Sequence, residues 1–141
     1  MDEATKITRL KLFLNIFGVI SLGLFGTLLI LTSTDAAIVQ DGGALRFLRW
    51  DMLAKHVELM LEAVYFVWGI FMFRAARRPM AYLSFLDFTL WANLVHGLLM
   101  IYQALVLHGF MYKMFLDVAY CLVLSAGIWL LRPKGEELRT A

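Results

Sequence analysis

The sequence predicts an all-α protein, a four-helix transmembrane bundle with both termini in the cytoplasm. Hydrophobic residues make up 62% of the 141 residues, and a mean hydropathy of +0.76 is too high for a soluble domain of this size. Four apolar segments are each near the ~20 residues that a helix needs to cross a bilayer. Apolar and polar residues do not alternate in these segments as they do in β-strands. Because only helices and closed barrels satisfy the backbone hydrogen bonds in lipid, the segments are predicted to be helices.

The four segments place the predicted helices at about residues 10–32, 55–73, 80–107 and 111–131. The two prolines, Pro79 and Pro133, fall between or after helices, where helix breakers belong. We therefore treat residues 1–141 as a single integral membrane domain. The longest connection, residues 33–54, faces outward. Its second half mixes arginine with leucine, phenylalanine and tryptophan, which favours an interfacial helix or an extension of the second helix.

The basic residues predict the orientation. Nine of the thirteen lysine and arginine residues lie on the side of the termini and four on the other side. Because cytoplasmic loops are enriched in these residues, we expect both termini in the cytoplasm. The nine are Lys6, Arg9, Lys11, Arg74, Arg77, Arg78, Arg132, Lys134 and Arg139. The first segment is interpreted as a retained anchor, since it is longer than the apolar region of a signal peptide.

Charge and cysteine content exclude several classes of protein. A net charge of +2, without a basic stripe interleaved with aromatic residues, argues against binding of nucleic acid. The single cysteine, Cys121, cannot form an internal disulfide or a two-thiol redox centre.

Two carboxylates in the second predicted helix mark the candidate site. Glu58 and Glu62 are one helical turn apart and share a face. Exposing a carboxylate to lipid costs roughly 3 kcal/mol, so both should face a protein interior, a water-filled crevice or a cation. From the helical rise, Glu62 and His96 fall about 3 Å outward of the midplane, Asp117 about 8 Å and Glu58 about 9 Å. The full set for this polar layer, with two amides on the His96 face, is Glu58, Glu62, Asn93, His96, Gln103 and Asp117.

Three kinds of chemistry fit this layer. An oxygen-rich ligand set with one imidazole would suit a divalent metal such as Zn²⁺, Mn²⁺ or Fe²⁺. The same groups could relay protons or hold a cationic ligand, with His96 as ligand or proton donor. They could also form a structural network that locks the bundle, in which glutamate and histidine hydrogen-bond each other and Lys55 or Arg49 caps the acids. No metal-binding or thiol motif decides among these alternatives. The metal set would be Glu58, Glu62, His96 and Asp117.

The first predicted helix contains small residues at helical spacing. Gly18 and Gly26 are eight residues apart and share a face, so a neighbouring helix can approach closely there. We interpret this stripe as a packing surface.

A run of residues across the second and third predicted helices resembles a known family. It comprises His56-Val-Glu-Leu-Met60, Tyr65, Gly69, Arg74-Ala-Ala-Arg-Arg-Pro79, Phe88, Trp91-Ala-Asn93, His96, Met100 and Gln103-Ala104. The run resembles a family of small bacterial four-helix membrane proteins of unknown function, and its layout is similar to that of the DoxX-like group. The resemblance covers about residues 56–131. It implies the fold, the membrane location and a match of Glu58, His96 and Asp117 to polar positions of the family, but no activity. Leu116 departs from it, since a glycine before the acid would be typical.

The function expected from these features is that of a non-catalytic subunit or accessory protein of a larger membrane assembly. Its short loops leave no room for a soluble catalytic domain, and we place it in the bacterial inner (plasma) membrane. Expected partners are the lipid bilayer and other membrane proteins, or further copies of the chain in a homo-oligomer. Enzymatic activity stays open. The alternative is a self-contained membrane enzyme, transporter or ligand- or metal-binding protein that uses the polar layer.

Overall fold

The computed structural model describes residues 2–49, 54–106 and 115–133. Within these residues the chain forms four α-helices and no β-strand, which confirms the predicted all-α class. The helices are α1 (Glu3–Ser33), α2 (Lys55–Arg77), α3 (Leu83–Val106) and α4 (Asp117–Leu131). The same residues include short 3₁₀ helices at Ala37–Val39, Arg46–Leu48 and Pro79–Tyr82.

Three helical segments in the described part of the chain are long and apolar enough to cross a membrane. They are α1, α2 and the segment Pro79–Val106, which contains α3 and the 3₁₀ helix before it. This is compatible with an integral membrane protein. The described α4 has 15 residues, a rise of about 22 Å against a hydrocarbon core of about 30 Å. We predicted that this helix begins at residue 111, and residues 107–114 lie outside the described residues.

The first helix is longer than its apolar segment. We predicted residues 10–32, whereas α1 begins at Glu3. Polar residues continue the helix there: the Lys6 ammonium bonds to the Glu3 carboxylate, and the Thr8 hydroxyl donates to the Ala4 carbonyl at 2.9 Å. The 31 residues of α1 give a rise of about 46 Å, more than the thickness of a hydrocarbon core. The N-terminal turns are therefore available to the headgroup region or beyond it.

A proline sets the boundary between α2 and α3. The second helix runs to Arg77, past the predicted end at residue 73. It stops because Pro79 disfavours a helical conformation at the residue before it, and Arg78 has φ −139° and ψ 68°. Pro79 then opens a 3₁₀ helix through Tyr82, so α3 begins at Leu83 instead of the predicted residue 80.

Asp35 ends the first helix in a left-handed conformation. Its φ is +52°, the Ala36 N–H donates to the Leu31 carbonyl at 3.0 Å, and the Asp35 N–H donates to the Thr32 carbonyl at 3.3 Å. This pair of bonds is the Schellman arrangement, which satisfies carbonyls that a helix end leaves without partners. Aspartate tolerates the left-handed region better than most residues with a Cβ.

The chain divides into two compact units. The hairpin unit, Asn15–Arg74, contains most of α1, the connecting loop and most of α2. The terminal unit, Met1–Leu14 with Ala75–Ala141, contains the start of α1, the last residues of α2, and α3 and α4.

Glycines set the packing of α1 against α2 in the hairpin unit. A Cβ built at Gly18 would lie 3.0 Å from the Phe73 ring, and one at Gly26 would lie 3.2 Å from the Phe66 ring. The predicted close approach at Gly18 and Gly26 is therefore confirmed. Gly69 on α2 sits equally close to Ser21 on α1, 2.9 Å by the same measure. Successive contacts rise along α1 and fall along α2, so the two helices are antiparallel.

Small residues also bring α3 and α4 together in the terminal unit. A Cβ at Gly97 would lie 3.2 Å from the Cys121 side chain, and the Ser125 hydroxyl lies 3.0 Å from the Leu90 carbonyl oxygen. At one end of this pair the Arg132 guanidinium bonds to the Asp87 carboxylate. Asp87 belongs to the start of α3 and Arg132 follows α4, which makes these two helices antiparallel as well.

Candidate functional site

A buried ion pair connects α2 to the loop between α1 and α2. The Nε and Nη2 atoms of Arg49 donate to the same carboxylate oxygen, Oε2 of Glu58, at 2.9 and 2.7 Å. The exposed fraction of Arg49 is 0% and that of Glu58 is 6%. Charge-assisted hydrogen bonds of this length are among the strong ones in proteins. Arg49 thus contacts an acid of α2, which is one part of the structural network that the sequence offers as an alternative.

The loop backbone places Arg49 at this position. The 3₁₀ helix Arg46–Leu48 ends with the Arg49 N–H donating to the Arg46 carbonyl at 3.1 Å. Arg49 itself is extended, with φ −81° and ψ 148°. The loop is closed by the Leu45 N–H, which donates to the Ile38 carbonyl at 2.9 Å, and a Cβ at Gly43 would collide with that same carbonyl. We predicted an interfacial helix or an α2 extension in this segment; its described part is a 3₁₀ turn, and residues 50–53 lie outside the described residues.

Glu58 also lies close to the N-terminus of its helix. The residue lies in the first turn of α2, where backbone N–H groups without intrahelical partners carry partial positive charge. The Glu58 carboxylate is therefore stabilised both by the guanidinium and by the helix terminus.

Glu62 lies one turn further along α2 and has a different environment. Its Oε1 accepts a hydrogen bond of 3.0 Å from the Thr32 hydroxyl, and the exposed fractions of the two residues are 4% and 0%. Its Oε2 is buried without a hydrogen-bond partner among the described residues, and the same holds for Nη1 of Arg49. A buried polar atom without a partner costs about 1–3 kcal/mol, and more when it is charged. These two atoms are therefore places where the hairpin unit has hydrogen-bonding capacity left over.

A second ion pair closes the loop at the solvent-accessible ends of α1 and α2. The Lys55 ammonium lies 2.6 Å from the Asp35 carboxylate, and Gln40 donates to the other oxygen at 3.2 Å. The hydrogen bond from Lys55 lowers the pKa of Asp35 below its ordinary value. Lys55 therefore pairs with an acid of the loop. Of the two cations that the sequence offers as partners for the acids of α2, Arg49 is the one that contacts such an acid.

The remaining candidate residues belong to the terminal unit. His96 on α3 interacts electrostatically with Asp117 at the start of α4, and both side chains are half-buried. Asn93 is 1% exposed, and its amide nitrogen donates to the Thr89 carbonyl at 2.9 Å. Gln103 is half-buried on the same helix. The structure thus brings together Glu58 and Glu62 in one unit, and His96 and Asp117 in the other.

The metal hypothesis stays a prediction. Within each unit, the described residues contain no group of three or more His, Cys, Asp or Glu side chains placed to hold a metal ion. The four residues of the predicted metal set divide evenly between the two units, so neither unit alone contains that set.

Sequence reasoning missed two contributors to the site. The sequence pattern indicates only an apolar helix around Thr32 and a loop around Asp35, with no partner for either side chain. The available signal was chain position: both residues end α1 just before the loop, at the side where α2 begins with Lys55 and Glu58. Antiparallel neighbours joined by a loop bring such ends together, so a polar residue at the end of α1 is a natural partner for an acid at the start of α2.

In the described residues, these features define a small all-α protein with three helical segments able to cross a membrane, and with a buried arginine–glutamate pair beside a second buried glutamate. Residues 4–135 match DUF6632, a family of unknown function, and the chain belongs to that family. The resemblance to a family of unknown function is thereby confirmed. No curated protein and no solved structure matches the chain.

Proposed function

We propose that this protein is a non-catalytic subunit or accessory protein of a larger assembly in the bacterial inner membrane. The observation that carries the proposal is that buried polar groups of this chain form hydrogen bonds with one another. Arg49 bonds to Glu58, and Thr32 bonds to Glu62, while the Ser125 hydroxyl lies within bonding distance of a carbonyl of the neighbouring helix. Buried polar groups that satisfy one another rigidify and specify a fold. This is what a structural role for the polar layer requires.

The exposed faces of the helices support lateral association. Large apolar side chains with more than half their surface exposed occur on each of the four helices. Examples are Val19, Val57, Val64, Trp91, Leu98, Trp129 and Leu130. Such faces are covered by lipid or by the helices of another membrane protein. On α1, exposed Gly23 has no heavy atom within 4 Å of the position of a built Cβ, among the described residues, and exposed Thr27 follows one turn later. This small-residue pair suits a partner helix, either from another protein or from a second copy of the chain.

Purification in a mild detergent from the source membrane tests this proposal. We expect a stable species larger than a monomer in its micelle, with a reproducible co-purifying protein or a second copy of the chain. Gly23→Leu should release the partner and leave the melting temperature near that of the wild type, because the added side chain enters open space. Ala126→Leu, which adds bulk on an exposed position of α4, is the matched control. A sharp monomeric peak without any partner contradicts the proposal.

A second candidate function is favoured by a specific observation, the two buried atoms without described partners. Nη1 of Arg49 is a donor and Oε2 of Glu62 is an acceptor when ionised. In a self-contained transporter, enzyme or ligand-binding protein, these atoms would contact the guest, and the acids would coordinate it or accept its protons. In the terminal unit, His96 would act as a ligand or proton donor, and a divalent metal would be one candidate guest.

Elemental analysis and mass spectrometry of the purified protein address this second function. Glu62→Gln keeps the shape of the side chain and removes its charge. If Glu62 holds a cation, binding should fall about tenfold or more. If His96 is a ligand in the terminal unit, His96→Gln should lower binding there to a similar extent. If the layer is structural, Glu62→Gln should cost only about 1 kcal/mol or even stabilise the fold. Leu99→Ala, at a half-exposed position of α3, is the control for general destabilisation. Unchanged melting temperature, metal content and partner retention in both variants would rule out a functional layer.

A further inference from the structure

Four exposed cationic side chains of the terminal unit make no ion pair with any residue in the described ranges. They are Arg9, Lys11, Arg77 and Arg78. Two other cations of this unit differ, since Lys6 bonds to Glu3 and Arg132 bonds to Asp87. The four therefore carry positive charge that the described part of the chain does not compensate.

The topology brings these four side chains to one end of the terminal unit. Arg77 is the last residue of α2, and Arg78 leads through the 3₁₀ helix into the start of α3. The start of α3 lies beside the end of α4, because Asp87 bonds to Arg132. The Phe13 ring fills the space next to Gly127, little more than one turn before the end of α4. Arg9 and Lys11 precede Phe13 by one turn or less on α1.

Two of the four cations flank a candidate membrane span directly. Arg77 and Arg78 come immediately before the segment Pro79–Val106, which is long and apolar enough to cross a membrane. Cations next to a span are placed where the hydrocarbon meets the lipid headgroups, which is the level of the phosphates.

We propose that Arg9, Lys11, Arg77 and Arg78 form a binding surface for the phosphate groups of anionic phospholipids. Clusters of four or more cations next to spanning helices attract anionic lipid, each contributing about fivefold in affinity. Arginine suits this role further because its planar guanidinium can donate two parallel hydrogen bonds to a phosphate. The proposal is independent of the assembly role and of the acids in α2. It predicts a selective shell of anionic lipid at this end of the protein.

The test uses the purified full-length chain in nanodiscs that contain phosphatidylcholine mixed with phosphatidylglycerol. Lipids retained after transfer to detergent are counted by native mass spectrometry. We expect phosphatidylglycerol to be enriched over its share in the nanodisc, with enrichment that weakens as salt is raised. Arg77→Gln with Arg78→Gln should reduce the apparent affinity for phosphatidylglycerol about 25-fold, from fivefold for each residue. Because both leaflets of a nanodisc are accessible, any change of membrane orientation leaves this measurement unaffected.

Two controls separate lipid binding from loss of fold. Arg77→Lys with Arg78→Lys keeps the charge and should retain most of the enrichment. Arg46→Gln removes one cation from the hairpin-unit loop, where Arg46 pairs with Asp41 at 2.9 Å, and should change the enrichment little. Equal retention of the two lipids by the wild type overturns the proposal. The proposal is also overturned if Arg46→Gln lowers the enrichment of phosphatidylglycerol as much as the single substitution Arg77→Gln does. Retention of an acidic protein, with no preference for anionic lipid, would overturn it as well.

Discussion

Replacing Arg49 by methionine tests how strongly the buried ion pair stabilises the fold. Methionine keeps an unbranched apolar chain and removes the guanidinium. Because Arg49 is 0% exposed and Glu58 is 6% exposed, the change leaves a buried carboxylate without its counter-charge. At an effective dielectric constant of about 20 and a charge separation of about 4 Å, the lost attraction is about 4 kcal/mol. Removing one partner of a buried pair costs about 3–5 kcal/mol in other proteins. We expect Arg49→Met to lower the free energy of unfolding by this amount.

The double substitution separates the ion pair from the packing of its side chains. Glu58→Met alone should also be costly, because it leaves the buried guanidinium without an acid. Replacing both residues removes both charges, and such apolar replacements are often neutral or stabilising. The double variant should therefore lose much less than the two single variants together. The expected coupling energy is about 2–3 kcal/mol.

Unfolding of the purified full chain in detergent, followed by circular dichroism, measures these differences. Arg46→Met is the control, since Arg46 stands three residues earlier in the same loop and its ion pair with Asp41 is exposed. The change also removes a long hydrogen bond, 3.4 Å, from Arg46 to the Arg49 carbonyl. Exposed pairs contribute about 0–1 kcal/mol, so this variant should behave almost as the wild type. Two results would refute the reasoning: an Arg49→Met variant as stable as Arg46→Met, or costs in the double variant that equal the sum of the single ones.

Two further predictions concern the packing and the loop. Gly127→Ala should lower the melting temperature although alanine is the better helix former, because its Cβ collides with the Phe13 ring; Gly23→Ala, which enters open space, should not. A melting temperature raised by both substitutions would contradict this packing. The second prediction concerns Asp35, whose pKa is lowered chiefly by the Lys55 hydrogen bond. Its contribution to stability is then present above the ordinary carboxyl pKa of about 4 and is lost as the pH falls through the lowered folded value. Asp35→Asn should flatten that acid limb in melting curves recorded between about pH 7 and pH 3, and an unchanged limb would exclude the contribution.

The four-helix class was predictable because apolar length and the absence of strand alternation are properties of the sequence itself. Gly18 and Gly26 were predictable for the same reason, since their spacing places them on one helix face whatever the neighbour is. Helix ends were less predictable. Apolar length gave no reason to begin α1 at Glu3, because the helix continues through polar residues that leave the hydrocarbon region. Residues 79–82 form a 3₁₀ helix and not the first turn of α3, because of the backbone geometry that Pro79 imposes. Hydropathy carries no information on that geometry.

The conformation of the loop could not be predicted from pattern alone. Arginine beside leucine, phenylalanine and tryptophan favours an interfacial helix, with the arginine directed to headgroups. In the structure Arg49 is instead fully buried against Glu58. The cause is the acid on α2: a carboxylate on a buried helix face is costly, and the loop arginine is close enough along the chain to neutralise it. Depth estimates from helical rise identified acids and a histidine at similar levels, but the level of a residue does not specify which helices pack together.

The two proposed functions make different predictions about one atom of the hairpin unit, Oε2 of Glu62. Arg49 donates its two described side-chain hydrogen bonds to Glu58, and Lys55 pairs with Asp35, so among the described contacts neither of these two cations bonds to Glu62. The Thr32 hydroxyl donates one hydrogen bond to Glu62 but cannot balance a charge. An ionised Glu62 therefore needs a donor or a cation at Oε2, whereas a protonated Glu62 can place its hydrogen there and needs an acceptor. A structural layer must supply that group from the protein or from ordered water, and a self-contained site must supply it from the guest. Identifying what contacts Oε2 of Glu62 would thus distinguish an accessory protein from a ligand-binding one more directly than any change to Glu58, whose carboxylate is bound by Arg49.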